Sequence, residues 1–391
     1  MLILPLKAPT YFDLQTSLAD WLDGDQEVSF QTPHSSDEPP LVFPKPPFKS
    51  QQCRAELLRI NALRKCLSES ILKPNSHKAA LEDQALEDLC EYHAALLEFE
   101  QRGFPTIDDE NNGLKLTWKS AFAPQKETHH TLVWDRACCL WNVAALYSQL
   151  ITSQPDNRDG YKQAITYCQT AAALLHILKE LATASSGDDF ATTVELAKPM
   201  LSFWEQLFVA HAQSMIYKIA DPTKHSILSG ISASAHQLYN EALHTAQDPR
   251  LQSEVPKFAK EWGAYCKGHS MMASAKAEYH QAVLHRSQQT WGHELARLKL
   301  CLQKLEKCQE FVNAADDDNP SLVELKREVD AYLPFVANRY KAAYSDNVTV
   351  YQDEIPSYKL EDIEPKQLAK RNPTGLPASM KTPKVPLFTK L

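Results

Sequence analysis

Two pairs of residues have a spacing that could hold a metal ion. Glu127 precedes His130 by three residues, and Glu241 precedes His244 by three. On a helix this spacing places a carboxylate and an imidazole on one face, as in di-iron bundles, which need two further carboxylates from other helices. Glu127 lies in a polar stretch just before a helix, and among 14 histidines and 49 acidic residues two such pairs are expected by chance. We therefore predict no metal site and no cofactor.

Patterns typical of nucleophilic catalysis or phosphate binding do not occur in the sequence either. It contains no G-x-S-x-G elbow, no H-C-x-x-G-x-x-R loop and no Walker loop. Three histidines, His176, His211 and His236, lie among apolar neighbours in helical stretches, which is typical of packed or surface side chains. We predict that the chain is not an enzyme. The competing hypothesis, a helical metalloenzyme, requires bound iron or manganese.

Composition narrows the class of protein further. Hydrophobic residues make up 43% and charged residues 23% of the 391 residues, as in soluble globular domains. A formal net charge of -8 disfavours a nucleic-acid binder. The nine cysteines form no C-x-x-C pair, and Cys138, Cys168 and Cys301 fall in apolar helical runs, so we predict buried thiols in a reducing cytosol. No apolar run reaches 18 residues, so any membrane contact is predicted to be peripheral.

Helical periodicity dominates the chain, and only 10 glycines interrupt it. Each gap between helices carries residues that stop or cap a helix, such as Asp221-Pro222 and Asp248-Pro249. The segment Ala277–Leu298 resembles a tetratricopeptide-type helical hairpin. The predicted helices are Gln52–Leu72, Ala79–Gln101, Leu132–Thr152, Tyr161–Ala184, Val194–Ile219, Ser226–Ala246, Val255–Arg286, Thr290–Ala314 and Ser321–Tyr344.

The two ends of the chain read differently. Met1–Leu6 predicts a short strand or extended arm, and Phe12–Leu22 has apolar residues at helical spacing. Gln31–Lys49 contains six prolines and predicts an extended loop, whose P-K-P-P-F stretch is a weak hypothesis for an SH3-type ligand. From Asp346 to Leu391 the pattern changes to proline-punctuated coil.

Apolar residues are dense in the helices Val194–Ile219 and Ser226–Ala246. The second of these carries Ile227, Leu228 and Ile231, separated by small residues that allow another helix to approach closely. These side chains could pack inside a helical solenoid, or some of them could line a concave groove for a partner's amphipathic helix. The residues alone leave both interpretations open.

Several segments, in order along the chain, resemble the Bro domain that begins Alix-type endosomal adaptors. The stretch Trp134–Gln149, W-D-R-A-C-C-L-W-N-V-A-A-L-Y-S-Q, is similar to the central helix of that domain. L-T-W-K-S-A-F at Leu116–Phe122, A-E-Y-H-Q-A at Ala277–Ala282, G-H-E-L-A-R-L at Gly292–Leu298 and V-Y-Q-D-E-I-P at Val350–Pro356 resemble further family segments. The resemblance covers essentially the whole chain.

The resemblance implies an all-α fold: a boomerang-shaped helical solenoid around a tetratricopeptide-like core, with a short N-terminal β element and an extended C-terminal segment. It implies a single domain over residues 1–391. Within it, residues 1–50 form an N-terminal arm with the Pro-rich insert, residues 51–345 the helical core, and residues 346–391 a segment that packs on the core. The chain would be either an excised domain or a domain-only protein.

The resemblance also implies a function. A Bro domain of this type binds the C-terminal amphipathic helix of an ESCRT-III subunit, a charged multivesicular body protein, in multivesicular body sorting and membrane scission. Such an adaptor is cytoplasmic and is recruited to endosomes. Carried over position by position, the binding site falls on Ile216, Ile227 and Ile231, with Lys218 and Asp159 at its margin.

Tyr351 falls on the family tyrosine that can be phosphorylated and docked by an SH2-containing kinase. An aromatic that pins the coil to the helices is an equal alternative. Three departures stand out: Ile216 replaces a phenylalanine, Arg158 occupies the position of an acid, and Ala123–Leu132 lacks the aromatic proposed to insert into lipid. The alternatives for the whole chain are the tyrosine-phosphatase-type or fungal pH-signalling Bro protein, and a general helical peptide-binding scaffold.

Overall fold

Helices account for most of the described part of the chain. In the computed structural model, the described residues are 1–10, 28–30, 41–43, 50–71, 79–101, 115–184, 193–315, 320–372 and 376–384. The helices are α1 (Ser50–Ile71), α2 (Ala79–Gln101), α3 (Leu132–Thr152), α4 (Arg158–Ala184), α5 (Lys198–Ile219), α6 (His225–Ala246), α7 (Pro249–Glu254), α8 (Pro256–Ser287), α9 (Trp291–Ala314), α10 (Pro320–Asp346) and α11 (Ala378–Lys381).

Within the residues that the structure describes, five short strands form two small antiparallel sheets. The strands are β1 (Ala8–Pro9), β2 (Val28–Phe30), β3 (Leu41–Phe43), β4 (Leu116–Lys119) and β5 (Lys126–His129). One sheet has the order β1-β4-β5, and β2 pairs with β3 in the other. In the first sheet Trp118 lies opposite Pro9 on one side and Glu127 on the other.

The chain divides into two compact units, which are described separately. The first comprises Met1–Ile3, Tyr147–His176 and Lys198–Pro373, and the second comprises Leu4–Leu146, Ile177–Ala197 and Thr374–Leu391. The single-domain assignment over residues 1–391 therefore stays a prediction.

In the first unit, α8 is the central helix and packs against α6, α9 and α10. Proline and aspartate set the helix starts: Asp248 caps α7 by accepting a hydrogen bond from the Arg250 amide, and Pro256 stands at the start of α8. Gly268 permits the close packing of α8 on α10, because a Cβ there would lie 2.5 Å from the Leu325 side chain.

In the second unit, α1 packs on α2 and β1, and α11 packs on α2. Asn142 of α3 holds the N-terminal arm in place. Its amide accepts a hydrogen bond from the Lys7 backbone N–H and donates one to the Lys7 carbonyl, both at 2.8 Å. The Lys7 side chain is buried and forms ion pairs with Glu127 at 3.0 Å and Glu195 at 3.2 Å. Burying a cation requires such partners, so this arrangement fixes the arm.

A second buried charge in this unit belongs to Arg64. It lies 2.6 Å from Asp135, whose carboxylate also accepts hydrogen bonds from Tyr92 at 2.6 Å and from the Trp118 indole at 2.5 Å. Burial alone would lower the pKa of Arg64, but the Asp135 carboxylate outweighs that effect and the pKa is raised. Thr10 and Thr117 carbonyls accept the remaining guanidinium bonds. The four side chains therefore form one satisfied polar cluster in the interior.

The sequence predictions fare well for helices and less well for strands. The all-α class with a small N-terminal β element is confirmed, and the predicted helices from Ala79 to Tyr344 match the observed ones closely. Of the two alternatives predicted for Met1–Leu6, the short strand does not form: the arm there is irregular, and pairing begins at Ala8, which lies opposite Lys119. Phe12–Leu22 and the P-K-P-P-F stretch lie outside the described residues. The predicted burial of Cys138, Cys168 and Cys301 is confirmed.

Candidate functional site

The predicted partner-binding residues cluster on a helical hairpin of the first unit. Ile216 lies in the last turn of α5 and Ile227 in the first turn of α6, and both are half-buried. The connection is a short turn in which Asp221 accepts hydrogen bonds from the Thr223 amide at 2.9 Å and the Thr223 hydroxyl at 2.7 Å. We call Ile216, Ile227 and the exposed Lys218 the hairpin face.

Ile231 does not belong to this face, contrary to the sequence prediction. Its side chain is 0% exposed. It lies one turn after Ile227 on α6, in a run of buried residues from Leu228 to Ser232, and its carbonyl accepts a hydrogen bond from the buried Gln213 amide at 3.1 Å. Ile231 therefore stabilises the hairpin from the inside and cannot contact a partner without unpacking it.

Lys218 stands at the margin of the hairpin face. Its ammonium donates a hydrogen bond to the Tyr161 hydroxyl at 3.2 Å and lies 4.8 Å from the centre of that ring. Tyr161 in turn donates to the Asp156 carboxylate. Desolvation opposes the charge on Lys218, but the hydrogen bond to Tyr161 and the nearby Glu324 and Glu328 carboxylates together outweigh it and raise the pKa. The lysine is therefore a cation at neutral pH.

The acid at this margin is Asp156 rather than the predicted Asp159. Asp159 is 90% exposed and pairs with Lys162 at 2.9 Å, one turn along α4. The hydrogen bond from Lys162 lowers the pKa of Asp159. No hydrogen bond or ion pair in the described residues joins Asp159 to Lys218. In this structure Asp156, from the same turn, is the acid that Tyr161 bonds, and a partner-binding role for Asp159 stays a prediction.

A chain of aromatic and imidazole groups borders the hairpin face toward α8. The Tyr217 hydroxyl lies 2.8 Å from His280 Nε2, and His280 Nδ1 lies 3.0 Å from His225 Nδ1. Burial lowers the pKa of His280 to about 3, so its ring is neutral at physiological pH. The Lys276 ammonium lies 4.9 Å from the centre of the Tyr217 ring. These groups were missed in the sequence, because no spacing rule connects residues on three different helices.

The irregular segment 352–372, which we call the strap, crosses the helices next to the hairpin. Gln213 anchors it: its carbonyl oxygen accepts hydrogen bonds from the Leu368 amide at 3.0 Å and the Ala369 amide at 2.9 Å. Its amide nitrogen donates to the Lys366 carbonyl at 2.8 Å and to Ile231. One buried side chain therefore ties the strap to both α5 and α6. This role of Gln213 could not be predicted from the sequence, because its partners on the strap lie more than 150 residues further along the chain.

Two glycines let the strap approach the helices closely. A Cβ at Gly230 would lie 2.9 Å from the Lys366 side chain, and a Cβ at Gly292 would lie 1.9 Å from the Glu354 carbonyl oxygen. Arg297 donates to the Glu361 carbonyl at 2.6 Å. Between these anchor points the strap and helices α6, α8 and α9 enclose a cavity of about 650 Å³.

Tyr351 lies just before the strap, in a π-helical turn over Asn347–Tyr351. Its ring stacks on Trp291 with a centroid distance of 3.8 Å and an interplanar angle of 9°. Gln352 follows with a left-handed φ of 53°. The SH2-docking prediction requires an extended backbone, and the backbone at Tyr351 is not extended. The stacking supports the alternative, in which the ring pins the coil to the helices.

The residues first considered for chemistry have structural contacts. His211 is buried and lies 3.1 Å from the Tyr265 hydroxyl, and burial holds its pKa well below the usual range. Glu127 pairs with the buried Lys7, while Glu241 and His244 are exposed on α6. Among the described residues no group of three or more His, Cys, Asp or Glu side chains is placed to hold a metal ion. None of the described helices is long and apolar enough to cross a bilayer.

The sequence profile of the BRO1-like domain family matches residues 47–391 of the chain. Among curated proteins, ALG-2 interacting protein X of Dictyostelium discoideum is 27% identical over 329 residues, covering 83% of this chain and 39% of that protein. Programmed cell death 6-interacting protein of Homo sapiens is 28% identical over 313 residues, covering 76% of this chain and 33% of that protein. The chain thus spans well under half the length of these relatives.

Solved structures show the same fold. The BRO1 domain in the "ALIX BRO1 CHMP4C complex" has a TM-score of 0.76 and 24% identity, covering 100% of this chain and 99% of that one. A structure described as the basis for endosomal targeting by the Bro1 domain has a TM-score of 0.70 and 16% identity, covering 95% of this chain and 92% of that one.

Proposed function

The chain belongs to the BRO1-like domain family, and on that premise we propose that its hairpin face binds the C-terminal amphipathic helix of an ESCRT-III subunit. The observation that carries the proposal is two half-buried isoleucines next to a cation on one helical hairpin. A solved relative with the same fold was determined as a complex with CHMP4C, which makes that protein's C-terminal helix the first probe.

The energetics of such a contact are modest. A helix laid in a groove is recognised by a few apolar anchors on one of its faces. Since both side chains are already half-buried, completing the burial of Ile216 and Ile227 contributes for each roughly half of the ~1.5–3 kcal/mol that full burial gives. A micromolar dissociation constant corresponds to about 8 kcal/mol, so further apolar and polar contacts along the bound helix must supply the rest and offset the association entropy.

Lys218 determines which charge the bound helix should carry next to it. Its only hydrogen bond in the described residues goes to the neutral Tyr161 hydroxyl, so its remaining N–H groups can bind a carboxylate on the partner. A charge at the edge of an interface mainly sets specificity and association rate. We therefore expect the bound helix to place an acidic residue next to its apolar anchors.

In this proposal the chain is a non-enzymatic adaptor module that is recruited to endosomes through its partners and makes at most peripheral membrane contact. Docking of an SH2-containing kinase at Tyr351 is a separate proposal. It requires the ring to leave Trp291 and the π-helical turn to unwind, because SH2 domains bind extended phosphopeptides.

The test is a fluorescence-anisotropy titration of the labelled CHMP4C C-terminal helix into wild-type protein and the Ile227→Asp variant. A carboxylate at an apolar contact leaves a buried charge without a partner, so we expect at least a hundredfold weaker binding. The matched control is Val350→Asp, which places the same charge at an exposed valine outside the hairpin face and should bind as the wild type does. Circular dichroism checks that both variants are folded. Equal binding by the wild type and Ile227→Asp, or no binding by the wild type, would refute the proposal.

A further inference from the structure

One face of α10 carries an exposed aromatic cluster. Glu328, Ala331, Tyr332 and Phe335 follow one another at helical spacing and border an open depression of about 470 Å³. Phe335 is 51% exposed. Its ring centroid lies 5.8 Å from that of Tyr332 and 5.4 Å from that of Tyr279 on α8. We call Tyr279, Tyr332 and Phe335 the aromatic patch.

The aromatic patch adjoins the hairpin face through a short series of contacts. Tyr217, next to Ile216, lies under the Lys276 ammonium of α8 at 4.9 Å, and Lys276 forms an ion pair with Glu328 of α10 at 2.5 Å. The ring of Tyr279 lies 5.4 Å from that of His280, which contacts Tyr217. The two apolar surfaces therefore lie on one side of the first unit, separated by a polar strip.

Tyr279 and Tyr332 are partly buried and pack against the core of the unit, and Phe335 extends this aromatic surface to solvent. Leu322, Leu325, Val329 and Val336 of the same helix are buried. Rigid aromatics beside a polar rim are the residues that most often dominate binding energy at interfaces. The ring centroids of Tyr217, His280, Tyr279 and Phe335 follow one another at 5.4–5.5 Å, so Phe335 lies at most about 16 Å from Tyr217.

We propose that the helix bound at the hairpin face continues across the Lys276–Glu328 pair and buries a second apolar anchor against Tyr332 and Phe335. This inference rests on the proposed function. At a rise of 1.5 Å per residue, the ligand must be a helix with two apolar anchors within about three turns of each other. Polar side chains between the anchors would face Lys276 and Glu328. The contacts that join the two surfaces, from Tyr217 through Lys276 to Glu328, are the reason for choosing one long helix as the occupant.

The test combines peptide truncation with substitution. Three labelled peptides from the CHMP4C C-terminal region are titrated: one long enough for both anchors, and two that are shortened from opposite ends. The short peptide whose binding is abolished by Ile227→Asp marks the hairpin anchor. We expect Phe335→Ala to weaken binding of the long peptide at least fivefold and to leave that short peptide unchanged within twofold. The matched control, Tyr344→Ala, removes a 49% exposed aromatic from the same helix and should change neither.

Several results would overturn the inference. A change of less than twofold for the long peptide, or an equal loss for long and short peptides, would show that Phe335 contacts no second anchor. A concentration-dependent dimer in sedimentation velocity that Phe335→Ala abolishes would assign the aromatic patch to a second copy of the chain. If no wild-type titration shows binding, the proposed function fails and the inference fails with it. Intact binding of the short peptide, together with long-peptide binding that does not depend on Phe335, overturns the inference alone.

Discussion

Two cations in this molecule contact the same kinds of side chain, but one cation is buried and the other is exposed. Arg64 in the second unit and Lys218 in the first each bond a tyrosine hydroxyl, and each tyrosine is bonded to an aspartate. Both cations also lie over their tyrosine ring, Arg64 at 5.9 Å from the centre of Tyr92 and Lys218 at 4.8 Å from that of its partner. The Arg64 side chain is 0% exposed, whereas Lys218 stands at the surface.

The difference shows how one set of groups serves either folding or recognition. Around Arg64, an aspartate, an indole and two carbonyls complete the hydrogen bonds, so the cluster has no capacity for a ligand and a high cost of disruption. Around Lys218, water competes with every contact, so each contact contributes little to the free energy of unfolding. The unused donors of Lys218 are what a partner's carboxylate needs. The variants below, ordered by expected effect, test this comparison.

The largest effect is expected for Asp135→Asn. The substitution keeps the shape of the side chain but leaves the buried Arg64 charge without its counter-ion, which typically costs about 3–5 kcal/mol. Urea unfolding followed by tryptophan fluorescence measures the loss in free energy of unfolding. Asp156→Asn, the corresponding change at the exposed site, should cost less than about 1 kcal/mol. Similar losses for the two variants would show that burial does not distinguish the sites.

An intermediate effect is expected for Gln213→Ala. Truncation leaves the Leu368 and Ala369 amides and two carbonyls without their partner, at a cost of about 1–3 kcal/mol. Hydrogen exchange should show faster exchange at these two amides. The control is Glu205→Gln, which weakens the contacts of that carboxylate with Arg371, further along the strap, and with His176. Unchanged exchange in Gln213→Ala would mean that other contacts hold the strap.

The smallest effects are expected at the margin of the hairpin face. Tyr161→Phe removes the hydroxyl that bridges Lys218 and Asp156, so thermal stability should change by less than about 0.5 kcal/mol while peptide affinity changes severalfold. Asp159→Asn should leave both quantities unchanged, since this acid pairs only with Lys162. A larger loss of affinity for Asp159→Asn than for Tyr161→Phe would restore the original assignment of the margin acid.

The sequence predicted the structural features that depend on a local pattern of residues. Helix bounds follow from apolar spacing and from stop signals such as Asp248-Pro249, and both operate within a few residues. The β4–β5 hairpin was missed because each strand has only four residues and the second, K-E-T-H, is polar. Its position is fixed by β1 and by the Lys7–Glu127 pair, contacts with residues more than a hundred positions away.

The predicted binding residues on α5 and α6 lie on one hairpin, but the structure buries one of them and leaves the others at the surface. Ile227 and Ile231 are one turn apart on α6 and look equivalent in the sequence. Only packing separates them, because Ile231 lies in the buried run beside Gln213. The aromatic patch was not predicted, since its members come from two helices that are about fifty residues apart in the chain and meet only in the folded unit.

The anchoring of the strap has a consequence for how the protein is made. Residues are synthesised from the N-terminus, and domains generally fold as complete units. Gln213 and Arg297 emerge from the ribosome well before Lys366 and Glu361, the residues that satisfy their hydrogen bonds. Until then the Gln213 side chain on the α5–α6 hairpin lacks its hydrogen-bond partners on the strap, although the folded protein buries it. We therefore expect nascent chains that end before residue 366 to be selective targets of chaperones and proteases, whatever the stability of the helices already formed.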